Sequence, residues 1–241
     1  MERGHGQQRR PSPRILSTAE FVRCLSHFLR DMADKGVAGT ELFNAVSHLL
    51  GAIAAVIGLI VLMVLAVHQG DVWKIVSFSI YGLTLMLVYT CSTLYHGVQG
   101  ELKAIFAKLD HQSIYLFIAG TYTPFALVTL RGVWGWSIFT AVWGLAILGV
   151  MLETLPRKGP RVLPVVIYLV MGWIILIALE PLLQTLPSVG FAWLLTGGLF
   201  YTVGVVFFAL GKKLSYCHNI WHVFVLAGSA SHYCSVLFYV A

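Results

Sequence analysis

Charge is scarce in this chain: Asp, Glu, Lys and Arg make up 11% of its 241 residues, against 58% hydrophobic residues. So few polar side chains cannot cover a soluble globule, and a mean hydropathy of +0.82 points the same way. Cysteine is equally sparse. Cys24, Cys91, Cys217 and Cys234 stand far apart with no CxxC pair, which argues against a disulfide-stapled scaffold. The formal net charge is +6, but the basic residues do not gather on one helix or stripe, so no nucleic-acid partner is expected. The first ~40 residues lack an apolar h-region, so no signal peptide is expected either.

What the chain has in abundance is long apolar runs. Seven windows of ~20 apolar residues, at roughly 42–67, 73–97, 108–130, 134–153, 161–180, 189–211 and 217–240, follow one another with short Gly- and Pro-punctuated breaks. The expected fold is all-α, a polytopic membrane protein with a seven-transmembrane helix bundle over residues 40–241. Ahead of it, residues 1–16 are rich in Gly, Pro, Gln and Arg and read as a disordered basic tail. Residues 17–36 read as an amphipathic interfacial helix: Ser17 and Glu20 can form a capping box, and Phe21, Leu25, Phe28, Leu29 and Met32 recur at helical spacing. An ordinary solvated helix docked on the protein is the alternative.

The basic residues set the expected orientation. With the N-terminus in the cytoplasm, every one of the 16 Lys and Arg except Lys74 and Arg131 falls on the inner side, as the positive-inside rule requires. Seven spans then leave the C-terminus outside.

That topology gathers residues distant in sequence at one membrane depth. Glu41, Asn44 and His48 open span one, Ser92 and His96 close span two, Asp110 and His111 open span three, and His218 and His222 open span seven. Ionisable groups inside a bilayer are costly and usually have a task. His218 and His222 are four residues apart, so they share a helix face about 6 Å apart along the axis and can hold one metal ion. His96 can supply a third ligand, and zinc is bound by three or four such groups. Each histidine taken singly also reads as a satisfied interior residue. Asp110 could bind the metal or take a proton from its water, or serve only as a carboxylate at a helix N-terminus. Ser92 lies one turn before His96 and could hydrogen-bond water or a substrate carbonyl; a helix-packing role is the alternative. Cys217 is a rival ligand, but consecutive helical residues point about 100° apart, which disfavours it beside His218. His232 lies ten residues beyond His222, too far for the same ion, and reads as a buried hydrogen-bonding residue in a close helix contact. Glu41, Asn44 and His48 share a face and read as an interhelical network or as groups that orient a ligand imidazole, the structural role being favoured. Glu153 and Glu180, at span ends, read as ordinary interfacial charges.

Glu41-x-x-Asn44-x-x-x-His48, Ser92-x-x-x-His96, Leu109-Asp110-His111 with Ile118-Ala119-Gly120-Thr121-Tyr122-Thr123-Pro124, and His218-Asn219-Ile220-Trp221-His222 occur in this order. In this the chain resembles the hemolysin III family, the bacterial-type branch of the progestin and adipoQ receptor superfamily, over about residues 40–241. The resemblance implies seven helices, a cytoplasmic N-terminus, and zinc near the cytoplasmic face. The metal ligands would be His96, His218 and His222, with Asp110 contacting the zinc-bound water and Ser92 close by. It implies a multi-pass protein of the cell membrane whose partners are membrane lipids, linked to hydrolysis of ceramide-like amides and to membrane homeostasis. The basic N-terminal extension departs from the compact bacterial members. Three functions are open: a zinc-dependent hydrolase of a lipid amide or ester, a non-catalytic zinc-stabilised fluidity sensor, and a pore or transporter.

Overall fold

The computed structural model describes residues 39–155, 161–211 and 213–241. The tail expected at 1–16 and the helix expected at 17–36 lie outside the described residues. Seven long helices follow in order: α1 (Gly39–Gln69), α2 (Val72–Gly97), α3 (Glu101–Leu130), α4 (Gly132–Thr154), α5 (Val162–Thr185), α6 (Ser188–Leu210) and α7 (Ser215–Tyr239). The shortest has 23 residues, or roughly 34 Å at 1.5 Å per residue, enough for a hydrocarbon layer of about 30 Å. There is no strand among the described residues.

Two boundaries differ from expectation, each for a local reason. α3 begins at Glu101, well before 108, because Glu101-Leu102-Lys103-Ala104 are good helix formers that a hydropathy window cannot see. α5 runs past Pro181 to Thr185 instead of stopping near 180. A 3-10 turn over Ile174–Ala178 interrupts it, and Pro181 falls in the first turn of the piece Leu179–Thr185. There a missing N–H removes no intrahelical bond. The interruption is closed from α3: the Tyr122 hydroxyl donates to the Gly172 carbonyl at 2.7 Å and accepts from the Ile175 N–H at 3.2 Å. Broken helices survive in a membrane where neighbours restore the freed backbone bonds in this way.

Sequential helices pack against each other from α1 to α4, α6 packs on α7, and α7 also meets α1, which closes the bundle. α3 is the central element, with 67% of its apolar window buried, whereas α5 and α6, at 17% and 11%, turn most of their surface outward. Phe78, Tyr81, Phe117, Phe125 and Val236 fill the main core, and Tyr115, Ile138, Val142 and Met171 fill a second one between α3, α4 and α5. At one end of the bundle Asp71 caps α2 through the N–H of Trp73 and Lys74 and pairs with Arg131 at 3.2 Å. At the other end the starts of α1, α3, α5 and α7 meet the ends of α2 and α4. Glu41, Asn44, His48, Ser92, His96, Asp110, His111, His218 and His222 all line the chamber at this second end.

Candidate metal centre

One helix face brings two imidazoles together. His218 and His222, one turn apart on α7, place their Nε2 atoms 3.2 Å from each other. Two ligands of a tetrahedral ion at 2.0–2.1 Å stand about 3.3 Å apart, so the pair already has that spacing. α2 contributes the third. His96 is buried, its Nδ1 lies 2.8 Å from Glu41 Oε2, and its Nε2 is buried with no hydrogen-bond partner. A carboxylate at Nδ1 fixes the proton there and leaves the Nε2 lone pair free, the usual arrangement behind a metal-binding histidine. One ligand atom from each of His96, His218 and His222 lies within 4.8 Å of the others, the only such group among the described residues. This donor set could hold a metal ion.

The three histidines border a chamber of about 330 Å³ that also touches Glu41, Asn44, His48, Ser92, Tyr95, Asp110, His111 and Arg161. Glu41 is held in turn by Lys103, at 3.1 Å. His48 lies over His222 with ring centroids 3.8 Å apart and planes tilted by 31°, and makes a T-shaped contact with Tyr89. Asp110, from α3, lines the chamber without joining the tight histidine group, which leaves space for a small ligand between carboxylate and imidazoles. The Ser92 hydroxyl faces that carboxylate. Arg161, the residue just before α5, reaches the chamber and is paired at 2.7 Å with Glu153, whose side chain is only 8% exposed. Val88, Ile114, Trp221 and Val225 also border a second cavity of about 120 Å³, which lies among mostly apolar side chains of α3, α5, α6 and α7.

The candidates distribute as follows. His96, His218, His222, Asp110, Ser92, Glu41, Asn44 and His48 all meet at the chamber. Glu41, favoured as an interhelical structural residue, touches the imidazole of His96, one of the three clustered histidines, and so ties α1 to α2. Cys217 is buried but does not line the chamber. His232 behaves as expected: its ring N–H donates to the Leu194 carbonyl at 3.0 Å, against Gly197 of α6. Glu153 is more than an interfacial charge, since it anchors Arg161 at the chamber. Sequence reasoning missed that pair and Lys103. The only signal was that three charged residues sit at the ends of the spans that converge here.

Seven membrane-length apolar helices with a largely buried three-histidine cluster define a multi-pass membrane protein with a candidate metal centre at one end of its bundle. The profile of the family described as "Haemolysin-III related" matches residues 38–233. Hemolysin-3 of Bacillus cereus is 43% identical over 201 residues, covering 83% of this chain and 91% of the relative. The hemolysin-3 homolog of Bacillus subtilis (strain 168) is 42% identical over 200 residues, 83% of this chain and 93% of the relative. A human protein, monocyte to macrophage differentiation factor, is 29% identical over 203 residues, 82% of this chain and 83% of its own. The chain belongs to the haemolysin III family, and through relatives of the last kind to the progestin and adipoQ receptor superfamily. It is accordingly a protein of the cell membrane.

Proposed function

We propose that the protein is a zinc-dependent membrane hydrolase that cleaves an amide or ester bond of a lipid, ceramide-like in kind, at the cytoplasmic face, and so serves membrane lipid homeostasis. The observation that carries this reading is the three converging imidazoles in a polar chamber that Asp110 lines and that shares a wall with an apolar cavity. His96, His218 and His222 would hold the ion, and an all-imidazole set suits zinc. When bound, zinc polarises a carbonyl and lowers the pKa of a water towards about 7.

The remaining steps belong to the chain. Glu41 keeps the His96 Nε2 lone pair inward, and Ser92 holds the Asp110 carboxylate by a hydrogen bond. As the water oxygen bonds to the carbonyl carbon, the π pair moves onto the carbonyl oxygen and Asp110 takes the proton released. When that pair returns, the bond from carbon to nitrogen or oxygen breaks. Asp110 passes its proton to the departing atom, leaving a fatty acid and an amine or alcohol. The apolar cavity suits the acyl chain, and its character favours a lipid over an ion path. The cytoplasmic placement rests on the distribution of Lys and Arg, with Lys74 and Arg131 at the end away from the chamber.

The test is lipid turnover by purified protein. Release of fatty acid from a ceramide and phospholipid panel, abolished by chelator, restored by zinc and lost in Asp110→Asn with metal retained, supports the hydrolase. No product from any lipid in a fully metal-loaded sample overturns it.

A further inference from the structure

Two glycines stand where the apolar space beside the chamber meets a further one. Gly172 of α5 and Gly198 of α6 line the cavity of about 120 Å³, and both also line a third cavity, of about 50 Å³, as do Thr121, Tyr122, Trp173 and His232. Glycine is a poor helix former, and at Gly120, Gly149 and Gly197 a packed neighbour leaves no room for a Cβ. No such neighbour explains these two. Nothing lies within 4 Å of a Cβ built on Gly172, and a Cβ on Gly198 points across to the Trp173 ring at 3.9 Å, an ordinary contact. That ring borders both cavities and is tied to α6 by its N–H, which donates to Thr202 at 3.1 Å.

Lengths along α6 show what the open positions permit. The lining of the cavity beside the chamber runs from Val205 to Gly198, roughly 10 Å, and that of the third cavity carries on to Phe191, roughly 21 Å in all. One lipid chain reaches across half of a hydrocarbon layer of about 30 Å, or about 15 Å. A full-length chain therefore needs both cavities. The occupant follows from the surroundings: α5 and α6 turn most of their surface outward, so the hydrocarbon beside them in a membrane is lipid. The wall shared with the chamber sets one end of this space next to the candidate metal centre.

We propose that Gly172 and Gly198 set the chain length this centre accepts: the missing side chains let the acyl chain of the substrate run from the cavity beside the chamber into the one beyond it. The inference rests on the lipid-hydrolase reading for the identity of the chain and adds to it the residues that choose among lipids. A side chain at either glycine confines the acyl chain to the nearer cavity, so medium chains are still held and long ones are crowded out.

The experiment uses the full-length zinc-loaded protein, Gly198→Leu, Gly172→Leu and, as a control, Gly144→Leu, a helical glycine of α4 that also has room for a Cβ but lines neither cavity. Zinc content, thermal midpoint and affinity for octanoyl and hexadecanoyl hydroxamic acids, whose headgroup binds zinc, are measured. Affinities are compared with the natural chain at each length, so that partition into detergent cancels. The expected result is unchanged zinc content, octanoyl affinity within a few-fold throughout, and hexadecanoyl affinity weaker by roughly 10- to 100-fold, the size of an overpacking penalty, in the two cavity variants but not in Gly144→Leu. Hexadecanoyl affinity equal to that of the natural chain in folded, zinc-loaded cavity variants overturns the proposal, and so does an equal loss at both lengths. Should the leucine variants not fold, Gly198→Ala decides: a several-fold loss confined to the long chain supports the proposal, and no loss overturns it. If chain length is selected in this way but no lipid is cleaved, hydrolysis falls and the chain site stands; if lipid is cleaved with no effect of length, the reverse holds.

Discussion

Truncating Glu41 isolates the interaction that ties α1 to the candidate metal centre. In Glu41→Ala the 2.8 Å contact to His96 Nδ1 and the 3.1 Å contact to Lys103 both disappear. The second contributes little, because the Glu41 and Lys103 side chains are each 34% exposed and such pairs are worth about 0–1 kcal/mol. The first acts on metal binding. Without the carboxylate the His96 ring is free to rotate and to carry its proton on Nε2, the atom the ion needs. Loss of a group in this position lowers metal affinity by roughly 10- to 100-fold, equivalent to about 1.4–2.7 kcal/mol. The measurement is zinc competition against a chromophoric chelator on detergent-solubilised protein, alongside thermal unfolding. Glu41→Gln, which keeps an acceptor but no charge, should lose less than Glu41→Ala, and Lys103→Met should stay within a few-fold of the natural chain. A folded Glu41→Ala with unchanged zinc affinity would refute the assignment and return Glu41 to a purely interhelical role.

Other outcomes follow from single contacts. His218→Ala should take bound zinc from one equivalent to none in metal analysis of folded protein; retained stoichiometry would show that these imidazoles do not hold the ion. Tyr122→Phe strips the partner from the Gly172 carbonyl and the Ile175 N–H at the break in α5, which should destabilise by about 1–3 kcal/mol. A lowered thermal midpoint and faster exchange of the Ile175 amide would report it, and protection equal to that of the natural chain would contradict it. Gly197→Ala places a methyl against the His232 ring, which its bond to the Leu194 carbonyl holds in place. Overpacking of about 1–3 kcal/mol is expected, read as a lower midpoint, and an unchanged midpoint would mean the ring yields freely.

Hydrophobic length by itself determined the number and approximate extent of the spans, because a bilayer of fixed thickness demands ~20 apolar residues and excludes open strands. Helical spacing determined that His218 and His222 share a face, and alternation of direction determined that His96, Asp110 and the α1 residues arrive at the same end. These properties follow from distance along the chain and from period, which a sequence displays. Pairing between elements is of another kind. Whether Glu41 meets His96, 55 residues away, depends on how α1 and α2 rotate against each other, and no local pattern encodes that angle. The same holds for Glu153 with Arg161 and for the Asn44 Oδ1 buried without a partner between Glu41 and His48 on α1. It holds as well for the apolar cavity beside the polar chamber, since that space exists only where α3, α5, α6 and α7 fail to fill it. Tertiary structure alone decided these features, because hydrogen bonds and voids inside a helix bundle are set by the packing of side chains from separate helices.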